Sequence, residues 1–311
     1  MKSILITGGT GSFGRAFAKR LLADKTIERI VIYSRGEHAQ ESMAREYGNG
    51  RIRYFIGDVR DHDRLAMAMR GIEAVVHAAA LKVVPIAEYN PTECVATNIG
   101  GAENVVRAAI TASVKTVVAL STDKAVNPIN LYGATKLCAE KIFIAANNLS
   151  AGRTRFSVVR YGNVAGSQGS VLPLFLRLAA EGKTLPVTHP NMTRFWITME
   201  EAINLVLTSL ATTGGREIFV PRIPSINIAD LAQVIAPDKW EIVGIRPGEK
   251  MHEVLIAEGE PVWVDGGNGY FTLRPHQAST GSGGKPYSSD ANEDFLSQDQ
   301  IKEKINEKAW S

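Results

Sequence analysis

Cysteine is scarce in this chain, with only Cys94 and Cys138 among 311 residues, and the two lie far apart with no CxxC spacing. Neither a disulfide framework nor a cysteine zinc cage is therefore expected. The six histidines are scattered, and His77 stands inside an apolar run, where a packed core residue is the usual occupant. We predict no metal centre.

An excess of charge of one sign is also lacking. The chain has 35 Lys and Arg against 32 Asp and Glu, a net charge of +3, and no basic run. Neither nucleic acid nor a membrane surface is indicated as a partner. No apolar run approaches the roughly 18–20 residues of a membrane-spanning helix. The opening residues MKSILITGG are typical of a strand and glycine turn rather than a signal peptide, so we expect a soluble cytoplasmic protein.

What is present is an alternation of short apolar runs with longer amphipathic stretches. The apolar runs are continuous rather than alternating, as in parallel strands that are buried on both faces. This pattern predicts an α/β fold with a doubly wound parallel sheet of the Rossmann type and right-handed crossovers. The predicted strands are residues 3–7, 29–34, 53–58, 74–79, 116–121 and 156–161, and helices are predicted at 14–24, 62–71 and 103–113.

The rhythm loosens after about residue 165, which predicts two regions. Residues 1–165 form the expected dinucleotide-binding domain, and 166–311 mainly a smaller substrate-binding lobe with a C-terminal tail. Glycine-rich segments within 259–291 predict a loop, and the polar sequence SQDQIKEKINEK predicts a terminal helix. Further elements of the lobe are predicted as helices at 171–182, 199–211 and 227–236 and strands at 216–220 and 240–245.

The sequence TGGTGSFG places Gly8, Gly11 and Gly14 directly after the first predicted strand and at the start of a helix. Glycines in this position let the backbone approach a pyrophosphate, which the helix N-terminus attracts. A plain tight turn is the alternative, but the strand–turn–helix context favours a dinucleotide site.

The second strand ends in Ser34 and Arg35, where NAD-preferring sites usually carry an acidic residue for the ribose. An arginine can instead pair with a 2′-phosphate, so NADP is predicted over NAD, with a surface arginine as the alternative. Asp58 and Val59 end the third strand, where an adenine amino group could be held. The complete predicted cofactor set is Gly8, Thr10, Gly11, Ser12, Phe13, Gly14, Ser34, Arg35, Glu37, Asp58, Val59, Ala78, Ala79, Lys82, Asn98, Tyr132, Lys136 and Val164.

Tyr132 and Lys136 are four residues apart, which places them on one face of a helix. A nearby ammonium favours the phenolate of a tyrosine, whose ordinary pKa is near 10. Thr122 or Ser121, just upstream, can hydrogen-bond a reacting hydroxyl. Together with the glycine turn, this YxxxK pattern resembles the extended short-chain dehydrogenase/reductase family.

A narrower resemblance covers residues 4 to about 253. The chain resembles the inverting UDP-N-acetylglucosamine 4,6-dehydratases of pseudaminic acid biosynthesis. Beyond residue 259 the resemblance thins to YSSDAN. The matching segments are YSRGE, GDVRD, HAAALK, IAEYNPTECVATN, LSTDKAVNPINLYGATK, VVRYGNVAGSQGSVLP, MTRFWIT, IFVPRIPS and IRPGEKMHE.

This resemblance implies roles for an acid–base pair. Tyr132 would take the proton of O4 during hydride transfer from C4, Lys124 would be the base at C5, and Asp123 the acid near O6. A lysine base must be neutral, and burial beside another cation is expected to lower its pKa. Retaining relatives carry Asp-Glu at this pair, so Asp-Lys indicates inversion at C5. The alternative is a local ion pair at a strand end.

The resemblance also implies that UDP-N-acetylglucosamine is the substrate and that the protein is a homo-oligomer. A retaining dehydratase, a UDP-sugar 4-epimerase and a non-catalytic NADP sensor or scaffold remain as alternatives. The implied substrate-binding residues are Lys82, Asn163, Val171, Thr188, Arg194, Arg246 and Glu249.

Overall fold

The computed structural model describes residues 1–167, 169–264, 269–275 and 286–307. Its strands are β1 (Ser3–Thr7), β2 (Arg29–Ser34), β3 (Ile52–Ile56), β4 (Ala74–His77), β5 (Thr116–Thr122), β6 (Arg155–Tyr161), β7 (Leu185–Val187), β8 (Thr193–Phe195), β9 (Ile218–Pro221), β10 (Ser225–Asn227), β11 (Trp240–Ile242), β12 (Val254–Ile256), β13 (Val262–Val264), β14 (Tyr270–Leu273) and β15 (Tyr287–Ser288). Its helices are α1 (Ser12–Ala23), α2 (Glu37–Tyr47), α3 (His62–Ala68), α4 (Val84–Tyr89), α5 (Pro91–Val95), α6 (Gly101–Thr111), α7 (Leu131–Leu149), α8 (Val171–Ala180), α9 (Met199–Thr212), α10 (Ile228–Ile235) and α11 (Gln298–Asn306).

A nine-stranded sheet of the described residues runs in the order β13-β14-β9-β6-β5-β4-β1-β2-β3. The strands from β3 to β6, and β9 beside β6, pair in parallel. Leu5 at the centre pairs with Val31 on one side and Val75 on the other, and all three are buried. The predicted doubly wound parallel sheet is confirmed. Because the strand order reverses between β1 and β4, their carboxyl ends form the crevice where such sheets bind ligands.

Helices cover this sheet because each has one apolar stripe. In α1, Phe17, Ala18 and Leu21 recur at helical spacing and are buried against the strands. The helix α7 begins after Asn130, whose Oδ1 accepts a hydrogen bond from the backbone N–H of Gly133 at 2.8 Å. This cap fixes the first turn of the helix that carries the tyrosine and lysine predicted to be catalytic.

A second hydrophobic cluster lies in the C-terminal half of the chain, built around Leu172, Phe175, Trp196 and Leu231. Strands β9, β13 and β14 nevertheless return to the large sheet, so its edge is made by residues that follow 165. The domain boundary at 165 stays a prediction.

The prediction of a loop over 259–291 is wrong for part of its described residues. Strands β13 and β14 pair antiparallel with each other, and β14 pairs with β9. The short apolar run YFTL at 270–273 forms β14, which lies between β9 and the edge strand β13. Glycine-rich neighbours obscure this run in the sequence. Residues 265–268 and 276–285 lie outside the described residues. The predicted terminal helix is confirmed as α11, and no described helix has the length and apolarity of a membrane span.

Candidate active site

A cleft of about 810 Å³ opens at the carboxyl ends of β1, β2, β4, β5 and β6. The chain therefore gathers here the residues that follow several strands, as the crossover topology requires. The residues predicted from the sequence that line the cleft are Gly8, Thr10, Gly11, Ser12, Phe13, Gly14, Ser34, Arg35, Val59, Ala78, Ala79, Lys82, Thr122, Lys124, Tyr132, Lys136, Asn163, Val164, Arg194, Arg246 and Glu249.

Other predicted contacts lie outside this lining, within the part of the chain that the structure describes. They are Glu37, Asp58, Asn98, Asp123, Val171 and Thr188. Asn98, in a π-helical turn (Ala96–Gly100), is buried, and its side chain bonds the backbone of Leu81 and the hydroxyl of Thr135. It therefore ties the loop after β4 to α7. The Thr188 hydroxyl is buried and lies 3.1 Å from Sδ of Met192.

The glycine turn meets the requirement for a close backbone approach. Gly8 has φ = +66°, and a Cβ atom there would lie 2.8 Å from the backbone nitrogen of Ala79. A Cβ at Gly14 would lie 2.5 Å from Cα of Gly9. No side chain fits at either position, so the turn packs closely against the residues after β4 and against the start of α1. The N-terminus of α1 faces the cleft. Its first backbone N–H groups have no partner within the helix and can bind a pyrophosphate.

Arg35 stands beside this turn at the end of β2. Its side chain is 59% exposed, and Nη1 lies 3.9 Å from Oδ2 of Asp58. Asp58 makes a closer ion pair with Arg60, at 2.8 Å. Ser34, in contrast, is buried, and its hydroxyl and carbonyl oxygens accept hydrogen bonds from Gln40. The guanidinium of Arg35 is thus available at the cleft for a phosphate group.

Tyr132 and Lys136 lie on the buried face of α7 and line the cleft. Burial raises the pKa of the Tyr132 phenol to about 12, against the opposing effects of the Lys124 charge and the Thr122 hydroxyl. Burial lowers the pKa of Lys136 to about 8, although the charge of Glu140 counteracts it. Nζ of Lys136 donates to the carbonyl oxygen of Leu120 at 2.6 Å. In the ligand-free protein Tyr132 is therefore a phenol that keeps its proton at neutral pH, and the lysine one turn away has a pKa that has fallen toward neutral.

The Asp123–Lys124 pair leaves β5 in a short 3₁₀ turn (Asp123–Ala125). Nζ of Lys124 lies 3.1 Å from Oδ1 of Asp123, 3.1 Å from Oε1 of Glu253 and 3.3 Å from Oδ1 of Asn163. Asp123 is fully buried, and the Thr122 hydroxyl donates to its Oδ1 at 2.9 Å. The three charged groups form one compact cluster.

The expected lowering of the Lys124 pKa is wrong for this structure. Burial by itself lowers it, but the negative charges of Asp123 and Glu253 outweigh that effect and raise the pKa above its ordinary value. Arg194, a nearby cation, also lowers it but has a weaker influence than these carboxylates. Lys124 is therefore an ammonium in the ligand-free protein at neutral pH.

Cations from the C-terminal half of the chain also line the cleft. Arg194 and Lys250 both line the cleft with Arg246. Arg194 lies 3.5 Å from Glu249, and its Nη1 donates to the carbonyl oxygen of Met251 at 3.1 Å. Nζ of Lys250 donates to the carbonyl oxygen of Val126 at 2.5 Å. Such a wall suits a diphosphate group.

Sequence reasoning missed Lys250, Glu253 and Tyr161, which all line the cleft. The first two belong to the segment IRPGEKMHE, from which only Arg246 and Glu249 were selected. The final Glu of that segment is the signal that the sequence offers. A carboxylate repels a phosphate, so an acidic residue in a segment predicted to bind the nucleotide requires another partner. Its contact with Lys124 spans 129 residues and required the tertiary structure.

The doubly wound sheet, the glycine turn and the tyrosine–lysine pair on α7 define a Rossmann-like protein of the extended short-chain dehydrogenase/reductase type. The family described as polysaccharide biosynthesis protein matches residues 4–273, and the chain belongs to that family.

Three relatives show how close the similarity is. The chain is 52% identical over 277 residues to a UDP-N-acetylglucosamine 4,6-dehydratase (inverting) of Campylobacter jejuni subsp. jejuni serotype O:23/36 (strain 81-176), covering 88% of this chain and 83% of that one. It is 42% identical over 281 residues to a UDP-glucose 4-epimerase of Rickettsia akari (strain Hartford), covering 88% and 82%. The X-ray structure of Pen from Bacillus thuringiensis superposes with a TM-score of 0.91 at 37% identity, covering 98% of each chain.

Proposed function

We propose that this protein is an NADP-dependent UDP-N-acetylglucosamine 4,6-dehydratase that inverts the configuration at C5. The observation that carries the proposal is the Asp123–Lys124 pair, which stands at the end of β5 with Lys124 in the same cleft as Tyr132. The relative in Campylobacter jejuni bears the name of this activity and is 52% identical to the chain. The product would be the C5-inverted 4-keto-6-deoxy sugar nucleotide.

The glycine turn fits the cofactor because Gly8 and Gly14 leave no room for side chains at the start of α1. The exposed guanidinium of Arg35 at the cleft supports NADP, because an arginine can pair with a 2′-phosphate. When bound, NADP+ accepts a hydride from C4 of the sugar and later returns one to C6. Lys82, Arg194, Arg246 and Lys250 supply positive charge for the substrate diphosphate.

The residues of the chain perform the proton transfers. Burial keeps the Tyr132 phenol protonated in the ligand-free protein, so it must first lose that proton to solvent, which the Lys136 ammonium and a positive nicotinamide ring would favour. As the phenolate, Tyr132 accepts the proton of O4, and Lys136 holds the ribose. Once C4 is a ketone, the hydrogen on C5 becomes acidic. Lys124 then removes that proton and Asp123 protonates O6, which departs as water. A proton delivered to C5 from the opposite face inverts the centre.

Lys124 must first lose a proton, because its resting form is the ammonium. Oδ1 of Asp123, at 3.1 Å, is close enough to receive it. One N–H bond breaks and one O–H bond forms, which leaves a neutral amine beside a carboxylic acid. These are the two forms that the elimination requires.

Incubation with UDP-N-acetylglucosamine in deuterated water, followed by NMR of the product, tests the proposal. Deuterium at C5 with inverted configuration is expected. Retained configuration at C5 would refute inversion, and unchanged substrate would refute a dehydratase and support an NADP-binding sensor.

A UDP-sugar 4-epimerase is the second candidate, because a relative with the name UDP-glucose 4-epimerase is 42% identical. That reaction uses Tyr132 and Lys136 but requires no base at C5. An epimer formed without loss of water would favour it. We further propose that the protein is cytoplasmic and forms a homo-oligomer. Light scattering of the purified protein tests the oligomeric state.

A further inference from the structure

Glu253 stands in the cleft beside the acid–base pair but has no part in the reaction as described above. Its side chain is almost fully buried, and Oε1 lies 3.1 Å from Nζ of Lys124. Nε of Arg194 is 3.8 Å from the same oxygen. Oε2 is buried, with no hydrogen-bond partner among the described residues. Burying a carboxylate with one oxygen unbonded lowers the stability of the fold, and the nearby cations of Lys124 and Arg194 offset only part of that cost.

The backbone of Glu253 is fixed from two sides. Its N–H donates to Oγ of Ser289 at 2.9 Å, and its carbonyl oxygen accepts from the N–H of Ser289 at 2.8 Å. The Ser289 hydroxyl is also 2.7 Å from that of Thr193 in β8. Glu253 directly precedes β12, which pairs with β15. The backbone of Glu253 is therefore anchored beside β8 and β15, whereas its partner Lys124 lies in the turn that follows β5.

We propose that Glu253 is a positioning residue for Lys124: it holds the nitrogen against Asp123 and controls the pH range in which that nitrogen can remove the C5 proton. This inference rests on the proposed function and adds a third charged residue to the acid–base pair. Asp123, on the same turn, makes the equivalent contact from the sheet side, so Nζ is held between two carboxylates at equal distances of 3.1 Å.

Burial and the charged groups that face Lys124 act on its pKa in opposite directions. Asp123 and Glu253 raise its pKa, whereas burial and Arg194 lower it. Lys250 lies near the cluster and has its own pKa lowered, first by burial. Because Glu253 contacts Nζ directly, replacing it with a neutral glutamine lowers the Lys124 pKa and leaves an oxygen acceptor in place. Neutral amine then forms at lower pH.

The test isolates removal of the C5 proton from hydride transfer and from loss of water. The probe is the 4-keto-6-deoxy sugar nucleotide that keeps the C5 configuration of the substrate. Its C5 proton exchanges with deuterated water when Lys124 acts on it, and NMR follows the rate across pH. The wild-type rate is expected to rise up to the highest pH at which the protein stays folded. For Glu253→Gln the midpoint is expected about one pH unit or more lower.

The controls separate the two proposals. Lys124→Arg, which keeps a permanent charge, must abolish exchange, and a wild type without exchange would count against the proposed function. Glu258→Gln is the matched control, because Glu258 is exposed and lies five residues further along. It should match the wild type. Normal wild-type exchange with an unshifted profile for Glu253→Gln would overturn the role of Glu253. Glu253→Asp should restore the high midpoint, since it restores the charge.

Discussion

Nζ of Lys136 donates a hydrogen bond of 2.6 Å to the carbonyl oxygen of Leu120, so the helix α7 is joined to β5 through a buried charged group. In the ligand-free protein the Lys136 ammonium is buried away from water and donates instead to one neutral acceptor, the carbonyl oxygen of Leu120. That exchange is why its pKa falls from an ordinary value of 10.5 to about 8. The positive charge of Lys136 is thus held at a cost in stability.

Because the buried charge of Lys136 lowers the stability of the protein, the free energy of unfolding should depend on pH. Between pH 8 and 10.5 the unfolded chain binds the proton and the folded protein does not, so the stability rises with pH across this window. Lys136→Met removes the charge and should stabilise the ligand-free protein at pH 7 by up to ~3 kcal/mol, less ~1 kcal/mol for the lost hydrogen bond. Urea unfolding at pH 7 and pH 10 measures both proteins. The difference in unfolding free energy between the two proteins should be smaller at pH 10 than at pH 7. A difference that does not depend on pH would contradict the burial of the Lys136 charge as its cause.

Replacing Lys124 tests its role as the base at C5. Lys124→Ala should bind the cofactor normally but lose elimination of water by a factor of about 10²–10⁴, because no group remains to take the C5 proton. That change also leaves Asp123 and Glu253 without their shared cation. Lys124→Arg keeps a cation between them but cannot give up its proton near neutral pH. Turnover followed by NMR should therefore be lost in both variants, and near-normal turnover in either would remove Lys124 from the mechanism.

The fold was predictable where one local pattern of apolar residues is enough to identify a strand or a helix. The continuous apolar runs gave the parallel strands because burial on both faces demands them. The strand at Tyr270–Leu273 was missed because its only partner within the parallel part of the sheet, β9, is some fifty residues away and glycines flank it. Local sequence does not reveal such a pairing.

The site was predictable where its residues are close in sequence. Tyr132 and Lys136 share one helical turn, and Gly8 to Gly14 share one loop. The pKa of Lys124 was predicted in the wrong direction because the charges of Asp123 and of Glu253, which is 129 residues away in sequence, outweigh the effect of burial. The electrostatics of a buried group depend on every neighbour, and those neighbours come from distant segments.

Arg35 should decide between the two dinucleotides. Arg35→Ala is expected to weaken NADP+ binding by about 10–100-fold, since an arginine–phosphate pair is charge-assisted, and to leave NAD+ binding within about twofold. Its side chain is 59% exposed, so folding should be unaffected. Arg60→Ala is the matched control, because Arg60 also pairs with Asp58 but is not part of the cleft lining described above. Calorimetric titration with both dinucleotides gives the comparison, and equal losses for the two would refute the 2′-phosphate contact.

Arg160 and Glu140 form a buried ion pair close to Lys136. Nη2 of Arg160 lies 2.7 Å from Oε2 of Glu140, its Nη1 lies 2.9 Å from Glu260, and the Ser121 hydroxyl donates to Glu140 at 2.5 Å. Glu140 follows Lys136 by one helical turn. Arg160→Met leaves the carboxylate of Glu140 buried without its cation and should cost about 3–5 kcal/mol of unfolding free energy.

A double-mutant cycle distinguishes the ion pair from the packing of the long arginine side chain. Glu140→Gln should also destabilise the protein, because it leaves the guanidinium with one carboxylate fewer. The double variant should be more stable than the sum of the two losses predicts, by about 1 kcal/mol or more, because neither charge then remains unpaired. Urea unfolding of the four proteins measures this coupling. If the two losses simply add, the stability of this region comes from packing, and the ion pair has no part in holding α7 against β6.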